Sequence, residues 1–348
     1  MTRTYLDWNA TAPLRDEARA AMLGAMDVIG NPSSVHGEGR AAKAILEKAR
    51  RQVAAALGAE GAEVVFTSSA TEAAALALRA GGFHCADVEH EAVSSWCAAD
   101  LKVTKGGTVV ADDPRHSTVQ LANSETGILQ ALPDGLAMVD ATQAFGKIPF
   151  AFNWSGADMA IVSAHKIGGP KGVGALVLKR GLDIEAQIRG GGQEMGRRSG
   201  TENIIGIAGF GAAAQASAQD LDAGLAPKLA QLREILENAI AESAKETIFV
   251  GKDADRLPNT SCFITPGWKG ETQVMVMDLA GFAVSAGSAC SSGKVKASRV
   301  LRAMGYDETL AASALRVSIG ATTTEDDVLS FAKAWSKEHE KFRARQPG

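Results

Sequence analysis

Three short apolar runs in the first half of the chain each stop at a cluster of polar side chains. Residues 83–88 run into Glu89 and His90, residues 119–122 into Asn123-Ser124-Glu125-Thr126-Gly127, and residues 137–139 into Asp140-Ala141-Thr142-Gln143. Apolar runs of this length, bounded by turn residues, predict buried strands. In open α/β sheets ligands bind beyond the carboxyl ends of the strands. Polar groups recurring at that one end therefore predict a site there, on a largely parallel sheet with crossover helices.

Residues 157–179 extend the pattern. The apolar run 159–162 ends in Ser163-Ala164-His165-Lys166, a loop of glycines around Pro170 follows, and residues 175–178 are apolar again. The spacing predicts strand, tight loop, strand, with a lysine at the strand end. A lysine there can be desolvated and its pKa lowered, which suits Schiff-base chemistry, while Ser163 and His165 beside it can hold a phosphate. Taken alone, the same residues also describe an exposed hairpin with a solvated lysine. Residues 63–67 predict another strand, running through Ser68-Ser69-Ala70-Thr71-Glu72 into an Ala/Leu helix. Free backbone N–H groups at such a helix start make an anion site, although a Ser or Thr cap without a ligand is common.

The 348 residues are 46% hydrophobic and 22% charged, which suits one large and one smaller globular domain. A net charge of −4 without a basic stretch gives no support for nucleic-acid binding. No apolar stretch has the length of a membrane span, and MTRTYLDWNATAP lacks a signal-peptide core, so a cytoplasmic protein is expected. The four cysteines form no C-x-x-C pair, and no spacing marks a metal site. Cys85, Cys97 and Cys262 lie among apolar residues and are expected to pack as small hydrophobes.

Elsewhere residues 1–14 read as an extended arm, and 15–29 and 39–57 as helices. Residues 189–203 hold five glycines and three arginines, which suits phosphate or carboxylate recognition, a subunit contact or a solvated loop. Residues 206–244 read as a long helix broken near Gly224. Strand and helix then alternate again. Cys290 sits in the small-residue loop SAGSACSSG with Lys294 and Lys296 nearby, a setting that favours a reactive thiolate. Arg316, inside the run LRVSIG, is an odd place for a charge unless it meets an anion.

The motifs YLDWNATAP, NPSSVHGEGR, FTSSATEA, VEHEAV, ANSETGILQ, VDATQAFGK, SAHKIGGPKGVGAL, GGGQEMGRRSGTEN, LPNTS, SAGSACSSG and LRVSIG follow one another through most of the chain. In that order they closely resemble the cysteine desulfurases, pyridoxal-phosphate enzymes of the class V aminotransferase group. The resemblance implies fold type I of the pyridoxal-phosphate-dependent transferases. The large domain, residues 15–245, would hold a mostly parallel sheet. Residues 1–14 and 246–348 would form a small α/β domain carrying the cysteine loop, and the chain would be a homodimer.

It also implies roles. Lys166 is similar to the Schiff-base lysine, Asp140 to the carboxylate on the pyridine nitrogen, Gln143 to the partner of the ring hydroxyl and His90 to the imidazole stacked on the ring. Ala70, Thr71, Ser163 and His165 match phosphate binders, and Thr201 matches a threonine reaching the neighbouring subunit's phosphate. Asn123 and Arg316 match residues near the substrate carboxylate. Cys290 matches the loop cysteine that takes sulfur from L-cysteine as a persulfide, leaving alanine. The long loop resembles that of the group handing sulfur directly to a scaffold or other acceptor protein, for iron–sulfur cluster assembly or thio-cofactor synthesis. Another class V lyase, such as a selenocysteine lyase, and a non-catalytic sulfur-relay homologue remain alternatives. The chain departs from the family pattern at Ser69 (more often Gly), Ala74 (often Asn), Gly168 (often Tyr) and Ser124 (often Asn). The segments between His90 and Asn123 and between Asn123 and Asp140 are also short.

Overall fold

Five strands form the central sheet of the computed structural model, which describes residues 3–287 and 297–345. Their spatial order is Glu63–Thr67, Gly174–Leu178, Met159–Ser163, Met138–Asp140, Thr118–Gln120. The last three run parallel, and Gly174–Leu178 runs antiparallel to both its neighbours. Nearly every residue of the five is buried, as expected of a sheet covered on both faces. The one reversed strand is the return leg of the loop after Lys166, so the strand, loop, strand reading holds.

Two sequence expectations change. The strand expected over 83–88 covers only His84–Ala86. It lies in a separate three-stranded sheet with Ala98–Val103 and Val109–Val110, joined to the central sheet by a bridge from His84 to Ser117. The expected crossover helices are also largely missing from this half of the sheet. The four-residue helix Glu91–Ser94 and a hairpin fill the short segment after His90. The connections from Gln120 to Met138 and from Asp140 to Met159 contain no α-helix. Both connections are long enough for a crossover, but they are taken up by irregular site loops, the bridge from Ala122 to Leu129 and the 3₁₀ turn Phe152–Trp154.

Helices Asp16–Met26, Gly37–Ala56 and Ile204–Asp222 pack together on one face. There Phe66 and Phe145 meet Phe210 edge-on, with ring centroids 6.3 and 6.4 Å apart. Truncating the fully buried Phe210 to Ala would cost about 3–5 kcal/mol. The long helix read across 206–244 does break at Gly224, whose φ of +86° a side chain would strain. Its second half, Leu225–Ser243, joins another core with Leu6, Phe263, Leu315, Phe331 and Trp335. A four-stranded antiparallel sheet runs beside that core, in the order Ile248–Phe249, Thr260–Ile264, Ala314–Ser318, Ser285–Ala286. The N-terminal arm crosses between the two cores: Thr4–Tyr5 pairs with Phe282–Ala283, and Asp7 bridges to Ser318.

Candidate active site

A cavity of about 300 Å³ opens at the carboxyl ends of the parallel strands. Ala70, Thr71, His90, Asp140, Gln143, Ser163, His165, Lys166 and Arg316 all line it, although they come from positions up to 246 residues apart. Two sequence-predicted residues are elsewhere. Asn123 is buried outside the lining, and Thr201 borders a second cavity of about 250 Å³. Cys290 lies outside the described residues, three positions past Gly287, which does line the main cavity.

Strand Met159–Ser163 delivers the central residues. It ends in the single 3₁₀ turn Ala164–Lys166, closed by Ile167 N–H donating to the Ala164 carbonyl at 3.1 Å. Lys166 Nζ donates to the Asn9 carbonyl at 2.6 Å and the Ala10 carbonyl at 2.9 Å. Burial, and then the nearby Lys166, Lys171 and Lys147 cations, push the His165 imidazole down to about 4. At neutral pH His165 therefore offers hydrogen bonds rather than charge. Gly168 has φ +82°, and a Cβ there would lie 2.6 Å from Arg15 Cγ. That crowding accounts for glycine where the family more often has a large side chain.

The helix Ala70–Leu78 begins at the same end of the cavity. Ser69 Oγ accepts from Glu72 N–H at 3.2 Å, so serine at this position supplies a cap. The first-turn amides of Ala70 and Thr71 have no partner inside the helix, which suits an anion.

Asp140 closes the neighbouring strand, and its Oδ1 accepts from Thr142 N–H at 2.8 Å. Behind it stands Glu89, only 1% exposed. Glu89 Oε1 accepts from Gln120 N–H at 2.6 Å, while Oε2 has no hydrogen-bond partner among the described residues. Burial first, and then Asp140, hold this carboxyl well above the usual carboxylate range. Glu89 is thus a buried carboxyl with a raised pKa, a feature its sequence context does not announce. His90 Nδ1 caps the next short helix by accepting from Ala92 N–H at 3.1 Å.

The Asn123 side chain is engaged in local hydrogen bonds. Its Nδ2 donates to the Val88 carbonyl at 3.1 Å, and its Oδ1 accepts from the amides of Glu125 and Thr126 at 2.9 and 2.8 Å. The side chain builds the turn behind the cavity wall. The neighbouring Ser124 acts through its backbone, since its carbonyl accepts from Arg316 Nη1 at 2.9 Å and from Asn9 Nδ2 at 3.2 Å.

The opposite wall comes from the arm. Asp7 Oδ1 accepts from Arg316 Nη2 at 2.7 Å, and Ser285 Oγ donates to Asp7 Oδ2 at 2.8 Å. Arg316 Nε is buried with no hydrogen-bond partner among the described residues, beside the cavity. Gln143 Nε2 donates to the Asn9 carbonyl at 2.9 Å. Sequence reasoning missed Asp7, Asn9 and Glu89 as site residues. Gly287 packs so tightly on Glu125 that a Cβ would come within 2.1 Å of its Oε1.

The cavity thus holds an anion cradle at a helix start, a lysine and a carboxylate at its centre, and an arginine at the far side. That set fits a phosphate-bearing carbonyl compound with a basic ring nitrogen, together with a small carboxylate substrate. No group of three or more potential metal ligands occurs among the described residues.

Comparison with known proteins gives the family of the chain. The chain is 39% identical to a cysteine desulfurase of Cereibacter sphaeroides, over 100% of this chain and 98% of the relative. That match runs over 386 positions against 348 residues here, so 38 positions of the match have no residue in this chain. It is 34% identical to cysteine desulfurase IscS of Dictyoglomus turgidum, over 99% and 96% of the two chains. Among solved structures, a NifS-like protein from Rickettsia africae superimposes with a TM-score of 0.87 at 31% identity, covering 97% of this chain and 99% of the other. The family model for aminotransferase class-V matches residues 4–110 and 100–331, and the chain belongs to that family.

Proposed function

We propose that the protein is a pyridoxal-phosphate-dependent cysteine desulfurase, converting L-cysteine to L-alanine and leaving a persulfide on Cys290. The observation that carries the reading is the convergence of Lys166, Asp140 and Arg316 on one cavity whose rim, at Gly287, leads directly into the segment bearing Cys290. Bound there, pyridoxal phosphate supplies an aldehyde for the substrate amine and a ring that takes up the electron pair of the α-C–H bond. The Ala70 and Thr71 amides, Ser163 and His165 hold its phosphate, while Asp140 keeps a proton on its ring nitrogen. Gln143 donates to its ring oxygen. Arg316 binds and orients the substrate carboxylate. Lys166 Nζ takes the α-proton and returns one to the product. The Cys290 thiolate attacks the substrate sulfur and keeps it as a persulfide, while the severed carbon takes a proton to become alanine.

Thr201, at the second cavity, suits contact with a neighbouring subunit's phosphate, and we assign a homodimer on that basis. We place the enzyme in the cytoplasm, handing sulfur to an acceptor or scaffold protein for iron–sulfur cluster assembly. No helix among the described residues is long and apolar enough to cross a membrane. The test is direct: protein loaded with pyridoxal phosphate and given L-cysteine with a reductant should yield alanine and sulfide in equal amounts. Alanine from selenocysteine alone would point to a selenocysteine lyase, and no product from either would point to a non-catalytic relay.

A further inference from the structure

Lys147 is a buried lysine, 9% exposed, with no ion pair to a carboxylate among the described residues. Its Nζ donates to Gln143 Oε1 at 2.5 Å and to Asn9 Oδ1 at 2.8 Å. It borders a small space of about 40 Å³, on whose wall Lys166 also stands. Burial, followed by the Lys166 and Arg316 cations, drives its pKa well below the usual lysine range. A lysine so placed weakens the fold compared with an apolar side chain of the same length, so its contribution is better sought in the site.

The contacts say what it contributes. Lys147 donates, so the Gln143 amide turns its oxygen to Lys147. The Gln143 nitrogen then points the other way, with one hydrogen on the Asn9 carbonyl and one left for the cavity. The Asn9 side chain is pinned in the same manner. Its Oδ1 accepts from Lys147 and from Asn259 Nδ2, and its Nδ2 donates to Thr260 Oγ1 and the Ser124 carbonyl. The carbonyl of this immobilised Asn9 is where Lys166 Nζ rests.

We propose that Lys147 is a positioning residue of the active site: it fixes the Gln143 amide as a hydrogen-bond donor to the cavity and, through Asn9, fixes the resting place of Lys166. This inference rests on the desulfurase reading above. It is independent of Cys290.

The test compares wild type, Lys147→Met and Lys147→Gln, each loaded with pyridoxal phosphate. Methionine keeps the length and removes both hydrogen bonds, whereas glutamine keeps a donor. Lys147→Met should unfold at the same temperature as wild type or higher, because an uncompensated buried amine is gone. Its visible band should be displaced, since the donor to the ring oxygen is free to flip. Its kcat should fall about ten- to a hundred-fold with KM little changed, the range expected when a reacting group is misplaced. Lys147→Gln should recover part of both the band position and kcat. A Lys147→Met enzyme with wild-type band and kcat would overturn the proposal. So would a loss of thermal stability matching the loss of activity, with no recovery in Lys147→Gln, since that describes a merely structural residue. If wild type itself neither takes up the cofactor nor acts on cysteine, the functional reading fails first and this inference falls with it.

Discussion

The two walls of the cavity are built on different plans. One wall is the ends of neighbouring strands. Parallel pairing sets Gln120 beside Asp140 and Asp140 beside Ile161, so the backbone alone brings Asp140 and the Ser163–Lys166 turn to one edge. The other wall is the arm, anchored by short backbone pairing and fixed at the cavity by side-chain bonds across long stretches of sequence: Asp7 to Arg316, and Asn9 to Ser124, Lys147, Asn259 and Thr260. A strand-end wall places a side chain as long as the sheet forms. An arm wall places it only while each partner is present. Substitutions in the first should therefore remove chemistry, and substitutions in the second should loosen geometry.

The largest effect expected is on the strand-end wall. Lys166→Ala should lower kcat by on the order of 10³-fold or more, as removal of a central acid/base group does, with little change in unfolding temperature. Visible spectra and alanine assays of the variant check this, and retained turnover would move the proton transfer to another residue. On the arm wall, Arg316→Lys should keep the charge yet raise KM for L-cysteine about ten-fold, because a point charge cannot reproduce the guanidinium fork. Asp7→Asn should do the same more weakly, since it removes one charge-assisted bond to Arg316 and leaves the Ser124 carbonyl in place. If Asp7→Asn instead matched Lys166→Ala, the distinction between the walls would be wrong.

The smallest effect concerns stability. The folded-state pKa of Glu89 is raised, so the native protein keeps a proton that the unfolded chain releases above the ordinary carboxylate range. Stability from this group is complete in acid and declines as pH rises towards the folded value. Glu89→Gln should therefore flatten the loss of unfolding temperature as pH rises above the ordinary carboxylate range. Thermal melts across that range check it, and parallel curves for wild type and variant would show that Glu89 is already ionised in the fold.

The same contrast explains what the sequence revealed. The strand-end residues were legible because two local signals coincide there, an apolar run and its abrupt polar stop. Asn123 carried that signal too, yet its side chain turns inward, and the clue lay in the turn-forming Asn-Ser-Glu-Thr-Gly around it. Asn9 had no local mark, since its partners are fixed only when both cores are assembled around the arm. Lys147 had one, its position four residues after Gln143, which puts the two on one side of a helical turn. The crossover helices were over-predicted because the parallel-sheet rule assumes a helix in each connection, whereas two of these connections carry site loops instead. The arm links the two cores, since it contributes Leu6 to the second core and Asn9 to the cavity at the first sheet.

The central claim is that one end of the cavity holds the cofactor and activates cysteine, while a separate thiol on the segment beyond Gly287 takes the sulfur. Cys290→Ser tests it most directly. Loaded with pyridoxal phosphate and mixed with L-cysteine, this variant should change its visible spectrum as the wild type does, yet release no sulfide. Sulfide release at the wild-type rate would contradict the assignment of Cys290 and place the sulfur acceptor elsewhere in the molecule.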